Sequence, residues 1–147
     1  MALPQIIIPV FNAPDHIEAC LKSVERTVPD DTRVLLIDDA STDSSVLPML
    51  RAWKDSKPSH RRLIVQPKNR GFVATANLGM RLAKSDVVLL NSDTEVTPGW
   101  LECIGRCLNS DPAIATATPW SNNGEIVSIP TFCAPNPTPL NADGVAR

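Results

Sequence analysis

A chain of 147 residues, 43% hydrophobic and 20% charged, has the length and composition of one globular domain with a real core. Its net charge of −2 and pI near 5.6 argue against a nucleic-acid surface, and its Lys and Arg, scattered apart from Arg61-Arg62, argue against a charged membrane-binding face. No transmembrane segment is expected, because no apolar run approaches the ~18 residues a span needs.

The first strand is predicted at Gln5–Val10, rich in β-branched residues. It lacks a basic leader and is interrupted by Pro9, so no signal peptide is expected. Asp15 and Glu18 have the spacing of a helix-capping box. Ile17, Cys20, Leu21 and Val24 then recur as one buried helical face. Pro29-Asp30-Asp31 is a turn, Arg33–Ile37 a second buried strand, and Val46, Met49, Leu50 and Trp53 repeat the helical period, with Pro48 in the first turns.

Arg62–Gln66 reads as a third strand, and Val73, Ala76, Met80 and Ala83 as the inner face of a third helix. Val87–Leu90 is predicted as a strand buried on both faces. Thr97-Pro98 reads as an N-cap with proline at the first helical position, ahead of the stripe Leu101, Ile104 and Leu108. A fifth strand is predicted at Ala113–Thr118. The alternation implies an α/β fold, a three-layer α/β/α sandwich on a mostly parallel sheet.

Five of the 14 prolines lie after residue 118: Pro119, Pro130, Pro135, Pro137 and Pro139. Residues 1–118 are therefore expected to be the α/β half and 119–147 a Pro-rich connection, as in a chain cut short. The four cysteines, Cys20, Cys103, Cys107 and Cys133, show no framework spacing, which suggests a reducing cytoplasm. Cys103 and Cys107 with His16 or His60 have no second ligand pair, so ordinary buried cysteines are the expectation over a metal site.

In an open parallel sheet, ligands sit beyond the carboxyl ends of the strands. The fourth strand stops there in Asn91-Ser92-Asp93-Thr94-Glu95, where Asp93 is a hard oxygen donor suited to Mg²⁺ or Mn²⁺ with phosphate as co-ligand. Asp38-Asp39 ends the second strand, and one of the pair can accept from a base or sugar hydroxyls. The alternative is that Asp38, Ser41 and Asp43 cap the following turn and helix. Lys68-Asn69-Arg70-Gly71 supplies positive charge ahead of a helix N-terminus that favours an anion, or is simply a solvated loop. Gly79 suggests close helix–strand packing, and Trp120 beside Ser121-Asn122-Asn123 is either a packing residue or a sugar-stacking one.

Neither G-x-G-x-x-G nor G-x-x-x-x-G-K-[ST] is present. A phospho-receiver is excluded: its acceptor aspartate would have to be Asn91, and no lysine follows Lys84.

Taken together, Ile8-Pro9-Val10-Phe11-Asn12, Ile37-Asp38-Asp39-Ala40-Ser41-Thr42-Asp43, Asn69-Arg70-Gly71-Phe72 with Asn77-Leu78-Gly79, and Leu90-Asn91-Ser92-Asp93 resemble the family 2 glycosyltransferases of the GT-A fold. Ser121-Asn122-Asn123-Gly124 resembles a loop of bacterial members. The resemblance implies an inverting transferase using a nucleotide-diphosphate sugar donor and Mn²⁺ or Mg²⁺, with a glycan, lipid or protein as acceptor. By motif position, Pro9, Phe11 and Asp39 would line the base and ribose pocket, and Arg70 would lie beside the nucleotide. Asn91-Ser92-Asp93 would stand for the D-x-D motif, with Asp93 as the metal ligand.

Two departures qualify the resemblance. Asn91 replaces an aspartate, and an amide is a neutral, weaker ligand. The family's general base also follows the D-x-D strand, yet Asp111, Glu125 and Asp143, the acidic residues after Glu102, lack its context. The base is thus expected beyond Arg147, this chain being the donor-binding fragment, inactive alone. The alternative is a non-catalytic nucleotide- or sugar-binding module of the same fold. A truncated sheet would also expose an edge, so self-association is expected.

Overall fold

The computed structural model describes residues 3–145. They fall into two compact units, Leu3–Val96 and one that begins at Thr97.

The first unit alternates strand and helix: β1 (Gln5–Val10), α1 (Pro14–Thr27), β2 (Val34–Asp38), α2 (Val46–Ser56), β3 (Arg61–Val65), α3 (Phe72–Leu82) and β4 (Val87–Leu89). All pairings are parallel and the strand order is β3-β2-β1-β4. The chain therefore steps outward from β1 to β3, then returns across the sheet to β4. Right-handed crossovers put α1 and α2 on one face and α3 on the other. The direction of winding reverses between β1 and β4, which makes their carboxyl ends the crevice of the sheet.

β1 and β2 form the centre. Ile6, Ile7, Ile8, Leu35, Leu36 and Ile37 have no exposed surface. Side chains alternate along a strand, so Ile7, Leu35 and Ile37 share one face, where Ile64, Leu78, Ala83 and Val87 pack on them. On α1, Ile17, Cys20, Leu21 and Val24 are all buried, as their spacing predicts.

α3 turns differently from the expectation. Its buried residues are Thr75, Ala76 and Gly79, while Val73 and Met80 are exposed. The sheet face beneath is already filled by large side chains, so the helix approaches with its small ones. A Cβ on Gly79 would lie 2.5 Å from Ile7 Cγ2.

Other local expectations also fail. No Asp15–Glu18 capping box forms; α1 starts at Pro14, after Asn12 and Ala13 in the left-handed region, and Glu18 instead pairs with Lys22 at 2.8 Å. β4 is an outer strand of three residues, so Val87 and Val88 are half-buried and Leu89 exposed. Ala113–Thr118 is not a strand: its alanines and threonines bury little, and its one large apolar residue, Ile114, is only half-buried.

The second unit contains α4 (Trp100–Leu108), a short 3₁₀ turn (Glu125–Val127) and a last helical turn, α5 (Ala142–Val145). Gly99, at φ 83°, precedes α4, so Thr97 and Pro98 lie in a turn before the helix and do not cap it. Asn136 is buried and ties its own loop, accepting from Thr131 N–H (3.0 Å) and donating to the carbonyls of Thr131 and Ala134.

Candidate functional site

Because the four strands are parallel, their carboxyl ends lie along one edge of the first unit, and three loops there are laced by side chains. Asp39 N–H donates to Val10 O (2.8 Å), and Gln66 N–H to Asp38 O (2.8 Å), tying the end of β2 to both neighbours.

Asn12 organises the first loop. Its side-chain carbonyl accepts from the N–H groups of Thr42 (2.8 Å) and Asp43 (3.0 Å), and its own N–H donates to Ser41 Oγ (2.9 Å). Asp38 Oδ1 accepts from Ser41 N–H (3.1 Å), and Asp43 from Ser45. Hydrogen bonds from the Ser45 hydroxyl and N–H hold the Asp43 carboxyl below the usual carboxylate range. The capping reading therefore holds in part: Asp38 and Asp43 each cap a turn, while α2 begins with no side-chain cap.

Asp39 is different. The residue is 3% exposed, and its carboxylate fixes the β3–α3 loop. Oδ1 accepts from Gln66 Nε2 (2.6 Å) and Arg70 N–H (2.9 Å), and Oδ2 from Gly71 N–H (2.8 Å). Gln66 also donates to Thr75 Oγ1 at 2.7 Å, so the network runs into α3. Three of about four lone-pair positions are thus used within the protein. Gly71 adopts φ 81°, a conformation that favours glycine, and leads into the N-terminus of α3. The Arg70 side chain is left exposed at that point.

Asn91 to Thr94 form a hydrogen-bonded turn after β4, with Thr94 N–H donating to Asn91 O at 3.1 Å. Asp93 stands at its third position, exposed, with no hydrogen bond or ion pair among the described residues. Asn91 is exposed and Ser92 half-buried.

The expected site residues are therefore distributed as follows. Asp39 and Arg70 are joined directly, and Asn91, Ser92 and Asp93 share one turn. Phe11 is 46% exposed at the exit of β1, whereas Pro9 is buried within that strand opposite Ile37. Sequence reasoning missed Asn12, Gln66 and Thr75 as organisers. Thr75 carried a signal, as a polar residue one turn from Gly79 on α3. A groove of about 330 Å³ between α1 and α2, lined by Glu18, Leu21, Met49 and Trp53 among others, contains none of these residues.

The Cys20 sulfur lies under the Asn91–Thr94 turn, 3.6 Å from Asn91 O. Burial, and then the Asp93 carboxylate, push this thiol from the ordinary 9.0 up to about 12. Thiol titration at neutral pH is expected to count three fast-reacting cysteines, the exposed Cys103, Cys107 and Cys133, and one slow one. Between pH 9.0 and about 12 the unfolded chain ionises Cys20 and the folded chain does not. Stability is therefore present below pH 9.0 and falls by at most about 1.4 kcal/mol per pH unit above it. Cys20→Ala should remove that part of the alkaline slope; equal slopes in urea titrations would contradict this.

Residues 5–131 match the sequence model of Glycosyl transferase family 2. The chain belongs to glycosyl transferase family 2. Among curated relatives, this family 2 chain is 26% identical over 98 residues to the putative glycosyltransferase EpsH of Bacillus subtilis; the match takes in 66% of this chain and 28% of EpsH. Among solved structures, it resembles a mannosyltransferase from Pyrobaculum calidifontis in complex with GDP-Man and Mn²⁺. That likeness has a TM-score of 0.65 at 25% identity, over 78% of this chain and 36% of the other. S. aureus TarS 1–349 matches at TM-score 0.65 and 18% identity, over 84% of this chain and 40% of the other, which speaks to the fold alone. The fold is the α/β arrangement of GT-A glycosyltransferases, with the four-stranded parallel sheet corresponding to part of their chains. The family 2 chain thus spans well under half the length of the relatives it matches. No helix among the described residues is long and apolar enough to cross a membrane.

The turn suits a divalent cation held jointly with a ligand. Asp93 and Asn91 offer hard oxygens, and the Asp93 carboxylate is unclaimed within the described protein. Among the described residues no group of three or more His, Cys, Asp or Glu is placed to hold a metal ion, and Cys103 and Cys107, expected to be buried, are both exposed. Phosphate oxygens and water would complete the shell, which fits Mg²⁺ or Mn²⁺ better than an all-protein zinc centre.

Proposed function

We propose that this chain is the donor-binding half of an inverting glycosyltransferase that takes a nucleotide-diphosphate sugar. The observation that carries the reading is the unclaimed Asp93 carboxylate on a hydrogen-bonded turn, at the same sheet edge as the Asp39–Arg70 loop. The solved mannosyltransferase with GDP-Man and Mn²⁺ supports this assignment of ligand classes.

In this reading Asp93, aided by Asn91, would hold Mn²⁺ or Mg²⁺ together with the donor, and Ser92 shapes the turn. When bound, the cation stabilises negative charge on the departing nucleotide diphosphate. Arg70 lies beside the diphosphate or base, and Phe11 and Asp39 border the nucleoside, with Pro9 fixing the strand behind them. The acceptor hydroxyl of a glycan, lipid or protein attacks the anomeric carbon as the bond to the diphosphate breaks, inverting that centre. Its proton goes to a carboxylate supplied by the acceptor-binding part of the enzyme. The four free cysteines support a cytoplasmic setting.

The neutral Asn91 amide favours a second reading, a nucleotide- or sugar-binding module that does not catalyse. Calorimetric titration with GDP, UDP and dTDP, with and without Mn²⁺, tests what the two share. One diphosphate should bind about tenfold or more tightly with Mn²⁺ present. Binding of none, or binding indifferent to Mn²⁺, would overturn the donor site.

A further inference from the structure

The Asp93 turn is a short polar excursion from the sheet, yet both of its ends are held by α1. Leu90 N–H still donates to Ile7 O at 2.9 Å, the last ladder contact with β1. The chain then leaves the sheet. At the near end, Asn91 O closes the turn with Thr94 N–H and faces the Cys20 thiol at 3.6 Å. At the far end, Val96 N–H donates to Ser23 Oγ at 3.0 Å.

Ser23 has a defined hydrogen-bonding sense. Its hydroxyl proton goes to Cys20 O at 2.7 Å, so a lone pair is left to face Val96 N–H. Cys20 and Ser23 are 1% and 3% exposed, and Val96 is buried beside them. Three residues apart, the two side chains lie on one face of α1. An exposed polar turn held at one end only would sample many conformations, and ordering it on binding would lower affinity.

We infer that Cys20 and Ser23 are positioning residues for the cation site: α1 clamps the Asn91–Val96 segment at both ends and so presents Asp93 in one place. The ligand part of this inference rests on the donor-site reading above; the clamp itself rests on the geometry of α1 and the turn.

The test uses the whole chain with Ser23→Ala, Ser23→Thr and Cys20→Ala. The first readout is hydrogen exchange without ligand. Ser23→Ala should speed exchange across 91–96 by about tenfold, with β1 and β2 amides unchanged, and Ser23→Thr should restore protection. The second is Mn²⁺-dependent binding of GDP or UDP. Ser23→Ala should weaken it by about tenfold and Cys20→Ala by less, leaving the Mn²⁺-independent part of nucleotide binding intact. Unchanged exchange in Ser23→Ala would overturn the clamp. Faster exchange with unchanged Mn²⁺-dependent binding would overturn the positioning role. A wild-type chain that binds neither nucleotide with Mn²⁺ would overturn the donor site, and the positioning role with it, while exchange still judges the clamp. If Ser23→Ala proves too unstable to measure, Cys20→Ala decides by the same two readouts.

Discussion

Asp39→Ala is expected to abolish nucleotide binding and to destabilise the first unit by about 3 kcal/mol. The carboxylate is buried and accepts three hydrogen bonds, from Gln66 Nε2 and from the N–H groups of Arg70 and Gly71. Truncation strands the Arg70 N–H and one Gln66 Nε2 hydrogen and leaves Gly71 N–H with Asn69 Oδ1 alone, at 3.1 Å; a donor left unpaired forfeits its solvation. It also releases the loop that carries Arg70. Asp39→Asn separates shape from chemistry. The amide has the right size, but one of its two heads is an NH₂. With its oxygen toward Gln66 and Arg70, that NH₂ would meet Gly71 N–H, donor against donor. A loss of about 1–2 kcal/mol is expected for Asn. Urea denaturation and calorimetry on both variants check this; a midpoint unchanged in Asp39→Ala would show that the loop is held by something else.

The second large effect is expected at Gly79. A methyl group added there would place its carbon 2.5 Å from Ile7 Cγ2 and 3.1 Å from Ile37 Cδ1. Both isoleucines are fully buried, and Ile7 Cγ2 is attached directly to its own Cβ, so it cannot swing aside as a chain end would. Alanine gains about 1 kcal/mol of helix propensity over glycine but forces α3 off the sheet at a cost of about 1–3 kcal/mol. Gly79→Ala should therefore be destabilising by about 1 kcal/mol, and Gly79→Val, larger and β-branched, by about 3 kcal/mol or more. Gly79→Val with wild-type stability in urea would mean that α3 does not pack as closely as described.

The same helix shows where a sequence is hard to read. Hydrophobic period selects Val73 and Met80 as the inner face of α3, yet both are exposed and Thr75, Ala76 and Gly79 are inside. Periodicity weighs side chains by apolar size. Here the partner surface of Ile7, Leu35 and Ile37 supplies the bulk, so the helix contributes smallness. On α1 the partner makes no such demand, and Ile17, Cys20, Leu21 and Val24 are buried as their spacing says. β1 and β2 were legible for the same reason, being continuous β-branched and aliphatic runs buried on both faces.

At the candidate site, residues at strand ends were legible and the partners that hold them were not. Asp38-Asp39 and Asn91-Ser92-Asp93 stand out because each follows directly on an apolar run. Gln66, Thr75 and Asn12 each look like ordinary loop or helix residues until the fold brings them across 9 to 31 positions of sequence to Asp39 and its neighbours. Ser23 likewise reads as a helix residue, although it meets Val96 from 73 positions away. Ala113–Thr118 failed for the opposite reason: a strand-like alternation of small residues has too little apolar surface to bury.

If Asp93 holds a divalent cation against a nucleotide diphosphate, as proposed, Mn²⁺ electron paramagnetic resonance should detect it. Free Mn²⁺ signal, titrated with the chain in the presence of GDP or UDP, should fall as the ternary complex forms. Asp93→Ala should weaken that complex by about tenfold or more, while Glu95→Ala, a change of equal charge two residues away, should stay within about twofold of wild type. Equal Mn²⁺ binding by wild type and Asp93→Ala would show that Asp93 is not the cation's ligand.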